Sequence, residues 1–290
     1  MAVGNTTTGS LADSLPTWIS AARQVREFEG NVAQLVDRQT LGEGIGLTWN
    51  EVKFDKIEAQ AVSETEEHSN PQQLVDTLLT VTPTVTCVET CITDRVAARI
   101  SKVAYAKIGG LSQNAIERKK DKDGITMFDS FSNSYCGAGT TLTSGHIAAA
   151  VALIMGNATE PGSPPIRCSL HPYQIYDIES EIVAGVGTYP IGEGLTARVF
   201  GEGFRGMIAG AQLYPNGNIA ENAGNDMKGA VYAQDALVIV QGRAPRAVSV
   251  RAENIGGGAT KVYHYDEYAY GERLDTWGVE IISDAVAPTS

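Results

Sequence analysis

The stretch Lys261 to Ala285, KVYHYDEYAYGERLDTWGVEIISDA, decides how this chain is read. Its first half alternates aromatic and polar residues with a period of two, the pattern of a β-strand. Its second half ends in a compact apolar run, Gly278 to Ile282. Two segments precede it in the same half of the chain. Gly201 to Tyr214, GEGFRGMIAGAQLY, is glycine-rich and apolar, and Gly229 to Gln241, GAVYAQDALVIVQ, is a compact apolar block. Nothing in this order assembles a catalytic constellation. It reads as strands and a short helix that return to complete a domain begun earlier, which gives an α+β chain.

Working outward, the totals bound the function. The chain has 290 residues, 43% of them hydrophobic and 19% charged, enough apolar material for a core and a length that fits one or two domains. The net charge of −12 argues against a sequence-reading DNA-binding module, because phosphate contacts demand a basic surface. An acidic wall could still enclose DNA without sticking to it. No run of about 18 apolar residues is present to span a membrane. The N-terminus, MAVGNTTTGSLADSLPTW, has neither a basic nor an apolar signal region, so no export is expected. Cys87, Cys91, Cys136 and Cys168 form no CxxC pair and are expected to be reduced, buried thiols.

Along the chain, residues 1–15 are small, polar and threonine-rich, an arm that orders against a partner. Residues 16–38 carry short helical patterns. Leu47, Trp49, Val52, Phe54 and Ile57 then alternate with polar neighbours, an antiparallel hairpin without a core of its own. Leu79 to Ile92 predicts one strand. Asp94 predicts the cap of a long helix with Val96, Ile100, Val103, Ala104, Ile108 and Leu111 as its apolar stripe. This helix runs through Arg118-Lys119-Lys120 and stops at Gly124, with Gly109-Gly110 able to bend or split it. Thr143 caps a buried, alanine-rich helix to about Gly156. Ile166 to Leu170 reads as a strand, and His171-Pro172 opens a further helix.

Each motif has a plain alternative. GEGFRG at Gly201 to Gly206 matches G-x-G-x-x-G, but no helix N-terminus follows to hold a pyrophosphate, so it reads as a turn. No cofactor and no metal is expected, since Cys87 and Cys91 lack a second ligand pair. His68, His146, His171 and His264 are scattered, and none adjoins a Ser, Cys or Asp in a recognised catalytic spacing. Arg118 to Asp123 reads as a solvated, self-compensating helix end rather than a nucleic-acid patch. The tyrosines at 263, 265, 268 and 270 have acids, not bases, between them, which favours packing in a sheet or at a subunit contact over base stacking.

This order of segments resembles the HK97-type major capsid proteins of tailed bacteriophages over about residues 30–286. IERKKDKDGITMFDSF, LHPYQIYDI, MKGAVYAQDALVIVQGRAPRAVSV and above all YGERLDTWGVEIISDA carry the resemblance. It implies an N-terminal arm (1–38), an extended hairpin loop (39–78), a peripheral domain with a long spine helix (79–130), an axial domain (131–235) and return strands of the peripheral domain (236–290). It implies a non-enzymatic subunit that self-assembles through hexamers and pentamers into an icosahedral shell around double-stranded DNA. The subunit would assemble in the host cytoplasm and reside in the virion capsid, with scaffolding, portal or decoration proteins as further partners and no membrane. Trp18 anchors the arm in this reading, and Trp49, Val52 and Phe54 anchor the hairpin on a neighbour. Lys53 and Lys56, with Glu43, Glu51, Asp55 and Glu58, set register and partner choice. About 38 residues precede the hairpin, too few for a built-in scaffolding segment, so a separate scaffold or none is expected. The nearest alternative is an encapsulin, a cellular compartment of the same fold that holds enzymes. A small nucleotide-binding enzyme using GEGFRG is the alternative from another class.

Overall fold

The computed structural model describes residues 27, 28, 30–65, 71–99, 102–186 and 206–288, with the backbone alone at 102–109 and 182–186. Trp18, His68, the arm before residue 27 and nearly all of GEGFRG therefore lie outside the described residues.

Two sheets and one long helix organise the chain. The first sheet contains β1 (Asp37–Thr40), β4 (Thr84–Thr93), β10 (Leu237–Gln241), β11 (Arg246–Ala252) and β12 (Ala259–Glu272). The 14-residue β12 is its backbone. β4 pairs antiparallel with one edge of β12, from Ala259↔Thr93 to Tyr268↔Thr84. β10 and β11 share the other edge, and β1 lies parallel to β10. The second sheet has the order β5-β13-β9-β6-β8-β7. Its strands are β5 (Ser134–Thr141), β6 (Ile166–Leu170), β7 (Met207–Ile208), β8 (Ala211–Pro215), β9 (Asp226–Ala233) and β13 (Gly278–Asp284). The strands after residue 236 thus divide between two sheets rather than returning to one. Val279 and Ile281 explain the departure of β13, since both are fully buried in the core that α4 and α5 share with the second sheet. A tight approach is needed to reach that place. A Cβ on Gly278 would lie 2.2 Å from the Phe131 ring.

α4 (Ser144–Met155) and α5 (Pro172–Val186) flank the second sheet. Thr143 precedes α4, and its backbone N–H donates to Nδ1 of His146 at 3.2 Å. α4 buries Ile147, Ala150, Val151 and Ile154 but leaves Leu153 and Met155 exposed, so it is amphipathic rather than buried all round. Gln174, fully buried at the start of α5, donates to Met227 O and Ser283 Oγ and accepts from His171 N. That one amide ties α5 to β9 and β13.

The expected single strand over Leu79 to Ile92 is two, β3 (Asp76–Val81) and β4, broken at Pro83. Proline lacks the N–H that a ladder needs, and alternation on both sides of it hid the break. The expected helix from Asp94 is a short α2 (Asp94–Ala97) followed by α3 (Lys102–Thr126). Gly109-Gly110 lies within α3, and Gly124 does not stop it. The role of Gly124 is close packing. A Cβ there would lie 2.7 Å from Val32 Cγ1 and 3.0 Å from the Tyr270 ring. Leu111, placed on the apolar stripe, is exposed, whereas Ile116 is buried. Of the four cysteines, only Cys91 and Cys168 are buried; Cys87 is exposed.

The charged cluster at Arg118 to Asp123 is likewise only partly solvated. Lys119 pairs with Asp123 at the surface. Lys120 and Asp121 are buried. Lys120 pairs with Asp266 of β12 at 2.5 Å. Asp121 accepts from Val32 N at 2.9 Å, Asn216 Nδ2 at 2.8 Å and Asn218 Nδ2 at 2.9 Å. These donors come from α1 (Val32–Leu35) and from the loop after β8, so one carboxylate joins three distant segments. Replacing Asp121 with Ala strands three donors in the interior. The expected loss is about 3 kcal/mol of unfolding free energy, read as a lower urea midpoint.

Candidate subunit interface

The hairpin is built from β2 (Trp49–Phe54) and β3, paired antiparallel from Trp49↔Val81 to Phe54↔Asp76. The period of two sorts its side chains onto two faces. Trp49, Glu51 and Lys53, opposite Val81, Leu79 and Thr77, form the inward face. Asn50, Val52 and Phe54, opposite Thr80, Leu78 and Asp76, form the outward face.

The inward face is bound to the chain's own body. Trp49 and Leu79 pack with Val81, Val238, Val240, Leu41 and Ala269. Arg273, at the end of β12, donates through Nε to Glu51 at 2.7 Å and through Nη2 to Asp37 at 2.5 Å. Its guanidinium also lies 6.0 Å from the Trp49 ring centre. Lys53 pairs with Glu160 in the loop after α4. The same loop accepts the indole N–H of Trp277 at Glu160 O. The root of the hairpin is thus fixed by one aromatic side chain and two ionic contacts.

The outward face has a different character. Val52 is 48% exposed, Phe54 66% and Leu78 59%, so three adjacent apolar side chains meet solvent together. Thr80 Oγ1 donates to Asn50 Oδ1 at the polar end of this face. Beyond the strands, Ile57, Val62, Leu74 and Val75 are also exposed. There the two limbs are held by Asp55 N to Val75 O and by Gln72, which bonds both backbone groups of Glu58. Lys56 is exposed. Of the six residues expected at an interface, Val52 and Phe54 therefore stand on the open face. Trp49 and Lys53 are engaged within the chain, Lys56 lies in the distal loop, and Trp18 is not described. Leu78 and Arg273 were missed. The adjacent pair Leu78-Leu79 gives no sequence signal as to which leucine faces out.

Elsewhere, a polar cleft of about 320 Å³ lies between α1, β1, α3 and β10, lined in part by Gln34, Arg38, Glu117, Lys120 and Gln241. Lys120 is occupied by Asp266, and the cleft brings together no nucleophile and base. Among the described residues no cluster of three or more His, Cys, Asp or Glu is placed to hold a metal, and no helix is long and apolar enough to cross a membrane.

The Asp37 carboxyl is held below its usual range. Burial pushes it up, but hydrogen bonds from Gln39 and Arg273 and the charge of Arg273 outweigh that. A carboxyl lowered on folding contributes stability that is complete above its unfolded pKa, about 3.9, and is lost as the pH falls through the folded value. Arg273→Ala should therefore lower Tm near pH 7, and the gap to the unaltered chain should narrow as the pH falls below about 4. Thermal melts from pH 7 to pH 3 read this directly.

No family model matches the sequence, and no curated protein matches it. Solved structures match along nearly the whole chain. The capsid of cyanophage P-SCSP1u aligns with a TM-score of 0.72 at 13% identity, covering 98% of this chain and 97% of that one. The cyanophage Pam1 capsid aligns at 0.71 and 11% identity, covering 98% and 99%. The capsid of Ralstonia phage GP4 aligns at 0.69 and 13% identity, covering 94% and 96%. The fold of this chain is thus the HK97-like α+β fold of tailed-phage capsid proteins.

Proposed function

We propose that this chain is the major capsid subunit of a tailed phage, a structural protein that assembles in many copies into an icosahedral shell around double-stranded DNA. The observation that carries this reading is the two-faced hairpin. Its inward face is satisfied by the chain itself, and its outward face presents Val52, Phe54 and Leu78 to solvent. An exposed apolar face on a two-stranded hairpin is a liability for a solitary protein and an asset for one that lies against a neighbour. Burying each of these side chains contributes roughly 1.5–3 kcal/mol, and closed symmetry repeats that contact at every copy.

The net charge of −12 suits a container for a polyanion that must pack without adhering. DNA contact is accordingly non-specific in this proposal. Scaffolding, portal or decoration proteins are natural further partners of such a shell, the subunit assembles in the host cytoplasm, and the virion capsid is its final location. The parts are a peripheral unit around the first sheet and α3, an axial unit around the second sheet, and the hairpin as the arm between copies. An encapsulin, which would carry enzymes instead of a genome, is the alternative, and no structural observation favours it.

Two variants separate the faces. Trp49→Ala removes packing inside the chain and should lower its stability by about 2 kcal/mol. Phe54→Lys, which faces Asp76 across the hairpin, should leave Tm within a degree or two yet abolish closed particles, read by sedimentation velocity and negative-stain microscopy. Particles of unchanged stability from Phe54→Lys would remove the hairpin from the interface.

A further inference from the structure

β11, Arg246 to Ala252 (RAVSVRA), is an edge strand. On one side it pairs with β12, with Ser249 opposite Val262. On its other side no strand pairs with it among the described residues. β1 shields the neighbouring β10 only as far as Thr40↔Gln241, with one further bond from Leu41 N to Gln241 O. The chain then leaves for the hairpin, and β11 begins five residues later uncovered. Residues 246–251 are all exposed, including Val248 at 36% and Val250 at 47%.

Free edges are ordinarily blunted by charge, proline or a bulge. Here the charges are drawn away from the edge. Arg246 lies over the Tyr265 ring at 5.2 Å, and Arg251 is held by Asp94 and Glu253. Pro245 stands before the strand, not within it. The centre, Val248-Ser249-Val250, is uncharged and rich in β-branched residues, a sequence suited to strand pairing.

We infer that β11 pairs antiparallel with β11 of a second copy about a twofold axis through Ser249, joining two first sheets into one. The sequence is self-complementary in that register. Val248 stands opposite Val250 of the second copy, Arg246 opposite Ala252, and Ala247 opposite Arg251. No arginine meets an arginine, and the two valine pairs share the face that carries Tyr263 and Tyr265, through Tyr263↔Val248 and Tyr265↔Arg246. A slip of one residue in either direction turns the side chains of the second copy to the other face, and in one direction it also sets Arg246 opposite Arg251, where like charges directly opposed are unfavourable. A slip of two sets Val250 opposite Arg246, or Arg251 opposite Ser249, and leaves one valine pair in place of two. The axis lies normal to the sheet, so α3 of both copies falls on one side. A shell with an inside and an outside imposes that same condition on its copies.

Ser249→Cys tests the pairing in the full-length chain. On the axis, a residue faces itself at a Cβ separation of about 4.5–5.5 Å, near enough for a disulfide after slight adjustment. Ala247→Cys is the register control, since its own counterpart lies about 13 Å away along the strand. After mild oxidation, non-reducing electrophoresis should show a dimer for Ser249→Cys and none for Ala247→Cys or for the unaltered chain, whose exposed Cys87 is the thiol background. Val248→Lys, whose partner in β12 is the uncharged Tyr263, added to Ser249→Cys should remove the dimer while Tm stays unchanged. A monomeric Ser249→Cys, or equal dimer from Ala247→Cys, overturns the inference. Microscopy of the same samples keeps the two readings apart. Shells without the cross-link overturn the pairing alone, and the cross-linked dimer without shells overturns the capsid reading alone.

Discussion

One buried carboxylate fixes the frame on which everything else is mounted. Asp121 sits in α3 and takes its hydrogen bonds from Val32, Asn216 and Asn218. Its neighbour Lys120 points to Asp266 of β12. A charge held in the interior is tolerated only where its partners are complete, and removing one partner costs more than the pair contributes. These bonds place the start of α1, the loop after β8 and the long helix together. Gly30 and Gly124 serve the same closure. A Cβ on Gly30 would lie 2.4 Å from Asp121 Cβ, and one on Gly124 would meet Val32 and Tyr270.

From that frame the exposed margins follow. β1 is set beside β10, and Asp37 at its start reaches Arg273 at the end of β12. Arg273 in turn reaches Glu51 and so holds the root of the hairpin. Ionic and aromatic contacts on one face give the arm a fixed pose. The apolar face, with Val52, Phe54 and Leu78, is left open to solvent. β11, where β1 has already departed, is left as an open edge. Both surfaces lie at the margins, where apolar side chains or backbone groups are left uncovered.

The sequence disclosed what local periodicity can carry. Trp49, Val52 and Phe54 announced a hairpin, Thr143 announced α4, and His171-Pro172 announced α5, because caps and alternation are written in adjacent residues. What it hid depends on partners far along the chain. Gly124 reads as a stop until Val32 and Tyr270 are seen packed against it. Lys120 and Asp121 read as solvent-facing until Asp266, Asn216 and Asn218 are brought to them. Alternation runs unbroken across Pro83, so two strands read as one. In the hairpin, Trp49 is the largest apolar residue and so the obvious anchor, yet its odd-numbered face turns inward. Only the register with Val81 reveals that.

The most direct test of the account is a cryo-electron-microscopy reconstruction of the particles formed by the full-length chain. The account predicts a closed icosahedral shell in which Val52, Phe54 and Leu78 of every copy are covered by another copy. A chain that stays monomeric at all concentrations, or a shell in which that face meets solvent, would contradict it.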